Sequence, residues 1–206
     1  MAHIIEYAFR LVHIDNIPLI LKYGIVRKNS VNASSNYVPI GDNSIINIRA
    51  TKKVLNNRTL SDFIPFYFGP RSPMLYVIQK GFNNVARHNA DDIVYLVIKI
   101  SDVINKGIKC YFTDGHALDS LTKFYESNRL NQLNQIVDYD DVYQKYWCSD
   151  DDLDLKRRKE AELLIDQDLP ANFIKGIVVY SIEAREKIIG YGVPESLVVV
   201  KPCYYF

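Results

Sequence analysis

The chain has 206 residues, of which 48% are hydrophobic and 24% charged, with a net charge of +1. That length fits one large domain over 1–206, and the composition excludes disordered and fibrous classes. A near-zero net charge also excludes a global field that would draw in a polyanion, so any affinity for nucleic acid has to come from local clusters.

The first stretch, MAHIIEYAFRLVHIDN, carries Glu6, Arg10 and His13 through its apolar run, which fits neither a signal peptide nor a membrane span. A cytoplasmic location without membrane attachment is expected. Tyr7 to Ile14 reads as a strand, after which Asp15 or Asn16 caps a short helix with Pro18 in its first turn and Gly24 at its end. About thirty polar, irregular residues follow, including NSVNASSNY and IGDNS, more loop than usual between packed elements and the kind that folds over a ligand. Phe63 to Phe68 reads as a buried aromatic strand. Ser72 and Pro73 then form an N-cap and first helical position, opening a helix that Gly81 closes.

Ile93 to Ile100 is a central strand by length and β-branched content. KCYFTDGHA gives a short strand and a D-G turn, with a helix predicted beyond it from Leu118, Leu121 and Phe124 near one face. DYDDVYQKYWCSDDDLDLKRRKEAELLID begins acidic, turns basic and ends apolar, as a helix or loop leading into a strand. Phe173 to Tyr180 is another strand, Ser181 caps a helix ended by Gly190, and SLVVVKPCYYF is a last strand. Strands mixed with short helices, without a βαβ rhythm, predict an α+β fold. Cys110, Cys148 and Cys203 are isolated, with no C-x-x-C pair, which suits a reducing compartment and argues against structural zinc or any other metal site.

Walker A, G-x-G-x-x-G, H-E-x-x-H and G-x-S-x-G signatures are absent. In Glu160-Ala161-Glu162, alternation along an extended chain would aim both carboxylates one way, and two acids facing one way can divide labour. The competing reading makes KRRKEAE the solvated end of a helix, with Asp152–Lys156 and Asp154–Arg158 as i,i+4 pairs. Arg49 reads on its own as a surface arginine. His13 stands where a strand yields to a helix N-terminus, a place that can hold a polar ligand, and His116 follows a turn where functional side chains concentrate.

HIDNIP, IPFYFGPRSPMLYVI, YFTDGHA and KEAELLI, in this order and spacing, resemble the DarT family of bacterial toxins, DNA ADP-ribosyltransferases. The resemblance runs from about residue 3 to residue 200, and its PFYFGPRSPMLY motif is the most specific. It implies the ADP-ribosyltransferase fold, with split central β-sheets around a cleft for NAD+ and peripheral short helices. It also implies transfer of ADP-ribose to a base of single-stranded DNA, thymine ahead of guanine, and a macrodomain antitoxin partner of the DarG kind.

By the same resemblance Glu162 is the catalytic glutamate and Arg49 the catalytic arginine. His13, Asn16, Tyr67 and Met74 would contact NAD+, and His116 and Arg71 would stand where the nucleotide enters. Lys52, Lys53, Arg157 and Arg158, with Lys156 and Lys159, would grip the strand. Two positions depart from the family pattern. Glu160 stands where glutamine is common, giving an E-x-E like that of protein-modifying relatives, and Ala50 follows Arg49 where a basic residue is expected. An acceptor of protein or RNA keeps the fold and NAD+ and changes the target; a non-catalytic nucleic-acid module keeps only Tyr67 and KRRK as grips.

Overall fold

The computed structural model describes residues 3–54 and 57–206. The strands are β1 (Tyr7–His13), β2 (Ile64–Tyr67), β3 (Ile93–Lys99), β4 (Cys110–Thr113), β5 (Phe124–Glu126), β6 (Glu162–Ile165), β7 (Ile174–Val179) and β8 (Val198–Val200). The helices are α1 (Ile17–Tyr23), α2 (Asn43–Thr51), α3 (Pro73–Lys80), α4 (Ile100–Asn105), α5 (Leu133–Ile136), α6 (Tyr139–Tyr143), α7 (Leu155–Lys159) and α8 (Ile182–Gly190).

The strands run β5-β4-β6-β2-β1-β3-β7-β8, antiparallel except for β7 with β8. β1 pairs with β3 along its whole length, from Tyr7–Lys99 to His13–Ile93. Towards β2 it makes a single pair, Phe9 with Tyr67. The split expected of this fold is therefore a seam within one sheet, dividing β5-β4-β6-β2 from β1-β3-β7-β8. Local chemistry maintains it: Pro65 has no N–H to offer a neighbouring strand, and Arg10 reaches across to donate from Nη1 to the Pro65 carbonyl at 3.0 Å.

Both faces of the sheet are apolar, because β3 and β6 are buried along almost their whole length. One face packs Val12, Phe66, Leu96, Leu163 and Ile177 into the main core. On the other, Phe9, Leu75, Ile78 and Tyr95 cluster under α3, and Leu60, Phe63, Ala117 and Leu164 cluster under the chain leading into β2. Tyr67 and Glu162 lie on this second face, between the two smaller clusters.

The strand-to-helix corner forms as its residues predict: Ser72 Oγ accepts from the Leu75 N–H at 3.3 Å, and Pro73 opens α3. Three expectations change. The irregular stretch contains α2, capped by Asp42, whose carboxylate accepts from the Ser44 and Ile45 N–H groups; none of its residues is buried, so it carries no apolar stripe to reveal it. The helix predicted beyond the D-G turn does not form. Asp119 takes the Leu121 N–H and Asp114 takes the Lys123 N–H, side-chain bonds that compete with helix, and Phe124 begins β5 instead. The last strand stops at Val200, because Pro202 starts a short 3-10 turn, Pro202–Tyr204.

Candidate active site

Cross-strand partners share a face. The register Phe9–Tyr67–Glu162 therefore aligns three side chains across the seam, with Glu162 at the start of β6. The Glu162 side chain is 1% exposed. Its backbone N–H donates to Thr113 Oγ1 at 3.0 Å, fixing where the strand begins. Its Oε1 accepts from the Ala117 N–H at 3.0 Å and from Arg49 Nη1 at 3.1 Å. Arg49 Nη2 lies 2.9 Å from Oε2 but is not aligned to donate, so a buried N–H pair remains unspent beside the carboxylate. Burial alone would raise the Glu162 carboxyl; Arg49, His116 and the Ala117 N–H outweigh it and hold it below its ordinary value. The result is a fixed, ionised carboxylate in a dry setting.

His13 lies on the same face as Phe9, four positions along β1, or about 13 Å. Its Nδ1 accepts from the Asp15 N–H at 3.2 Å and lies 3.5 Å from the Asp15 carboxylate, so Nε2 is the ring nitrogen turned to other partners. The His88 ring packs edge-on against it, 5.3 Å between centroids. Met74, half-buried in the first turn of α3, packs with the Phe9 and Tyr95 cluster. Asn16 is fully buried, and its amide donates to and accepts from Val38, each at 2.8 Å, so it fastens the 24–42 segment to the end of β1. Glu162, Arg49, Tyr67 and Met74 thus come together around the seam, His13 stands further along it, and Asn16 acts on the segment above.

The basic residues divide. Arg71 is committed to the fold: Nη1 donates to the Cys203 carbonyl and Nη2 to the Tyr143 carbonyl, both at 2.6 Å. Arg157 is bound to Asp154 and Asp114, and Arg158 to Asp141, Asp152 and Asp154. The expected Asp154–Arg158 pair is present, and Asp152 pairs with Arg158 rather than with Lys156. Arg157 and Arg158, expected at a nucleic-acid surface, are neutralised within the protein by these aspartates, most of them in the acidic run before them that folds back, whereas Arg71 is held by backbone carbonyls. Lys52 donates from Nζ to the Leu118 carbonyl at 2.6 Å. Lys53 and Lys156 are exposed. His116 is half-buried, its N–H bound to the Arg157 carbonyl at 2.8 Å. Burial lowers its imidazole below the ordinary value despite nearby Glu162.

Sequence reasoning missed several contributors. Thr113 and the Ala117 N–H position Glu162 through tertiary contacts that leave no pattern in the chain. Lys159, read as part of a basic grip, is 1% exposed, and its Nζ donates to the carbonyls of Pro70, Val142 and Gln144 at 3.4, 3.1 and 2.6 Å. Its position just before a strand is the signal that would have set it apart from its neighbours. Arg10 also went unassigned. It borders a hollow of ≈ 440 Å³ with Val12, Tyr23, Tyr37, Asn43 and Ile46. By alternation along β1, Arg10 and Val12 face away from Phe9 and His13. The hollow therefore adjoins the seam from the other face and does not contain Glu162.

A family model described as "ssDNA thymidine ADP-ribosyltransferase, DarT" matches residues 9–206. A DNA ADP-ribosyl transferase of Escherichia coli O127:H6 is 38% identical over 180 residues, covering 86% of this chain and 81% of that protein. A DNA ADP-ribosyl transferase-DNA ADP-ribosyl glycohydrolase fusion protein of Thermosipho africanus is 30% identical over 182 residues, 87% of this chain and 44% of the fusion. Among solved structures, Thermus sp. 2.9 DarT in complex with ADP-ribosylated ssDNA superposes with a TM-score of 0.86 at 26% identity, covering 100% of this chain and 99% of that one. The same protein in complex with NAD+ gives a TM-score of 0.81, covering 100% of both chains.

Proposed function

Because the chain belongs to the DarT family of ssDNA thymidine ADP-ribosyltransferases, we propose that it transfers ADP-ribose from NAD+ to thymine in single-stranded DNA and releases nicotinamide. The observation that carries this reading is the Glu162 carboxylate, held ionised by Arg49 and Ala117 at the seam, on one face with Tyr67 and His13. NAD+ is the co-substrate, and the residues present fit it. Arg49 keeps a buried, unspent N–H pair for a ligand oxygen, and His13 keeps Nε2 for other partners about 13 Å along the same face. Tyr67 and Met74 supply wall on the near side.

Loss of nicotinamide builds positive, oxocarbenium-like charge at the anomeric carbon of the ribose. Glu162 supplies fixed negative charge beside that ring and accepts from a ribose hydroxyl, an arrangement that counts for more in a dry site than in water. Arg49 orients Glu162 and offers its fork to phosphate or ribose oxygens. His116, Lys53 and Lys156 lie on the acceptor side, where an unstacked base is reached at least cost in a single strand. The domain spans 1–206, and a DarG-like macrodomain that removes the mark is the partner expected of such a toxin, by analogy with the fused glycohydrolase of the Thermosipho relative. Labelled NAD+ offered with single-stranded DNA, duplex, RNA and protein, with mass spectrometry of the products, tests the reading. Label on thymine-containing single strands supports it, and label on protein or RNA alone overturns the acceptor.

A further inference from the structure

Arg157, expected to grip a strand, turns its charge inward. The side chain of this α7 residue is 14% exposed and lies along the 114–117 loop, which supplies the Ala117 N–H to Glu162. Its Nη1 donates to Asp114 Oδ1 at 3.1 Å, and more distantly to Thr122 Oγ1 at 3.4 Å and to the Asp114 carbonyl at 3.5 Å. Nε and Nη2 hold the Asp154 carboxylate as a fork, at 2.6 and 2.7 Å. Its own carbonyl accepts from the His116 N–H at 2.8 Å. Between these contacts runs Gly115, where an added Cβ would stand 2.4 Å from Nη1, 2.9 Å from Cγ and 3.0 Å from the Arg157 carbonyl oxygen. Arg157 occupies the place a side chain would take.

The other side of the loop is fastened to Glu162. Thr113 Oγ1 donates to the Gly115 carbonyl at 2.7 Å and accepts from the Glu162 N–H at 3.0 Å, and the Ala117 N–H closes on Oε1. Asp114 is tied sideways, accepting from the Lys123 N–H at 2.9 Å and from the Tyr125 hydroxyl at 3.3 Å. The loop is thus clamped between Arg157 and the start of β6.

We propose that Arg157 is a positioning residue of the transfer, pressing the 114–117 loop onto the start of β6 so that the Ala117 N–H stays on Glu162 Oε1. The inference rests on the transfer reading above, and it assigns Arg157 to the catalytic carboxylate instead of to DNA. Four loop residues have little stiffness of their own, and a reacting group misplaced by about 1 Å can cost about 100-fold in rate. Without the clamp the Ala117 N–H turns to water and Glu162 is left with the Arg49 donor of α2. Its carboxyl then rises, because the Ala117 N–H is among the groups that hold it down against burial. The other titratable groups that face it are His116 of the loop, Glu160 before β6 and Tyr67 of β2, and the variants below leave all of them in place.

The test compares wild type with Arg157→Met, Asp114→Asn and the double variant. The two substitutions change charge in opposite senses. A direct field effect would raise the Glu162 carboxyl in Arg157→Met and lower it in Asp114→Asn, whereas a loosened loop raises it in both. Each variant should lose kcat on the order of 10- to 100-fold, with KM for NAD+ changed far less. The acid limb of kcat against pH should move to higher pH in both, and carbon-13 titration of the Glu162 carboxyl should move with it. The double variant should be no worse than the worse single one, because both break one link. Opposite shifts in the two variants, losses that add, or lowered stability with kcat and the acid limb unchanged overturn the proposal. So does a loss confined to strand affinity with the salt slope reduced by about 1, the mark of a phosphate contact. If Arg157→Met does not fold, Asp114→Asn decides by the direction in which Glu162 moves. Absence of wild-type transfer, with the upward shift of Glu162 intact, would instead refute the activity assigned above and leave the clamp standing.

Discussion

Arg49 and Glu162, 113 positions apart in the chain, form a buried ion pair with one hydrogen bond, at nitrogen to oxygen distances of 3.1 and 2.9 Å. Removing one partner of such a buried pair leaves the other uncompensated, which costs about 3 to 5 kcal/mol. Arg49→Met should therefore lower stability by that order. It should also reverse the behaviour of Glu162 with pH: without the guanidinium, burial dominates and the carboxyl rises. Denaturation at pH 5 and pH 8 should show the variant losing more stability at the higher pH.

Glu162→Gln keeps the shape and removes the charge. Transfer should fall by about 3 kcal/mol of transition-state stabilisation, or more than 100-fold, judged from the loss of one preorganised group. Arg49→Lys keeps the charge and loses the fork, and should cost about 2 kcal/mol in kcat/KM for NAD+. Steady-state kinetics with labelled NAD+ measures both, and a fully active Arg49→Lys would show that the fork geometry does not matter.

Stability should decline from mildly acid to neutral pH on account of Glu160. Its folded value, about 7, lies above the ordinary 4.5, so its contribution is fully present below 4.5 and is lost as pH rises through 7. The span corresponds to about 3 kcal/mol at most. Urea denaturation of wild type and Glu160→Gln between pH 4.5 and 8 should show the slope in the first and a flatter line in the second.

Gly69 marks where the chain leaving β2 passes the carbonyl of Val142. A Cβ there would stand 1.9 Å from that oxygen and 2.5 Å from its carbon, both backbone atoms. Gly69→Ala should fail to fold or lose at least about 3 kcal/mol, whereas Gly107→Ala, with nothing within 4 Å of the added carbon, should be limited to the smaller strain of a positive φ. Thermal unfolding of the two variants compares them directly.

Salt dependence of single-strand binding should separate the basic residues. Lys53→Ala and Lys156→Ala should each reduce the slope of log K against log salt by about 1. Arg158→Ala should leave the slope nearly unchanged and lower the melting temperature instead, because its charge is spent on Asp141, Asp152 and Asp154.

The parts of this molecule that were legible in its sequence are those whose reasons are local. The PRSP corner follows from a serine cap and a proline at the first helical position, and β3 from an unbroken apolar run, so both appear where expected. α2 and the 114–123 loop were not legible. The first has no buried face to create a period, and the second is decided by Asp114 and Asp119 capturing N–H groups that a helix would have used. The same divide runs through the site. Glu162 and Arg49 were identified through resemblance, while Arg157, Arg158 and Lys159 read as one basic run until folding turned the arginines to aspartates and Lys159 to backbone carbonyls. Charge in a sequence says nothing about whether a counter-charge will arrive from elsewhere.

Pro65 and Arg10 leave the sheet with one rung along its spine, between Phe9 and Tyr67. Rungs that act together make a sheet stiff, so bending concentrates where they are fewest. The leaf that bears His13 and the leaf that bears Glu162 are therefore joined by less backbone pairing than any other neighbouring strands of the sheet, with the Arg10 side chain as the added tie.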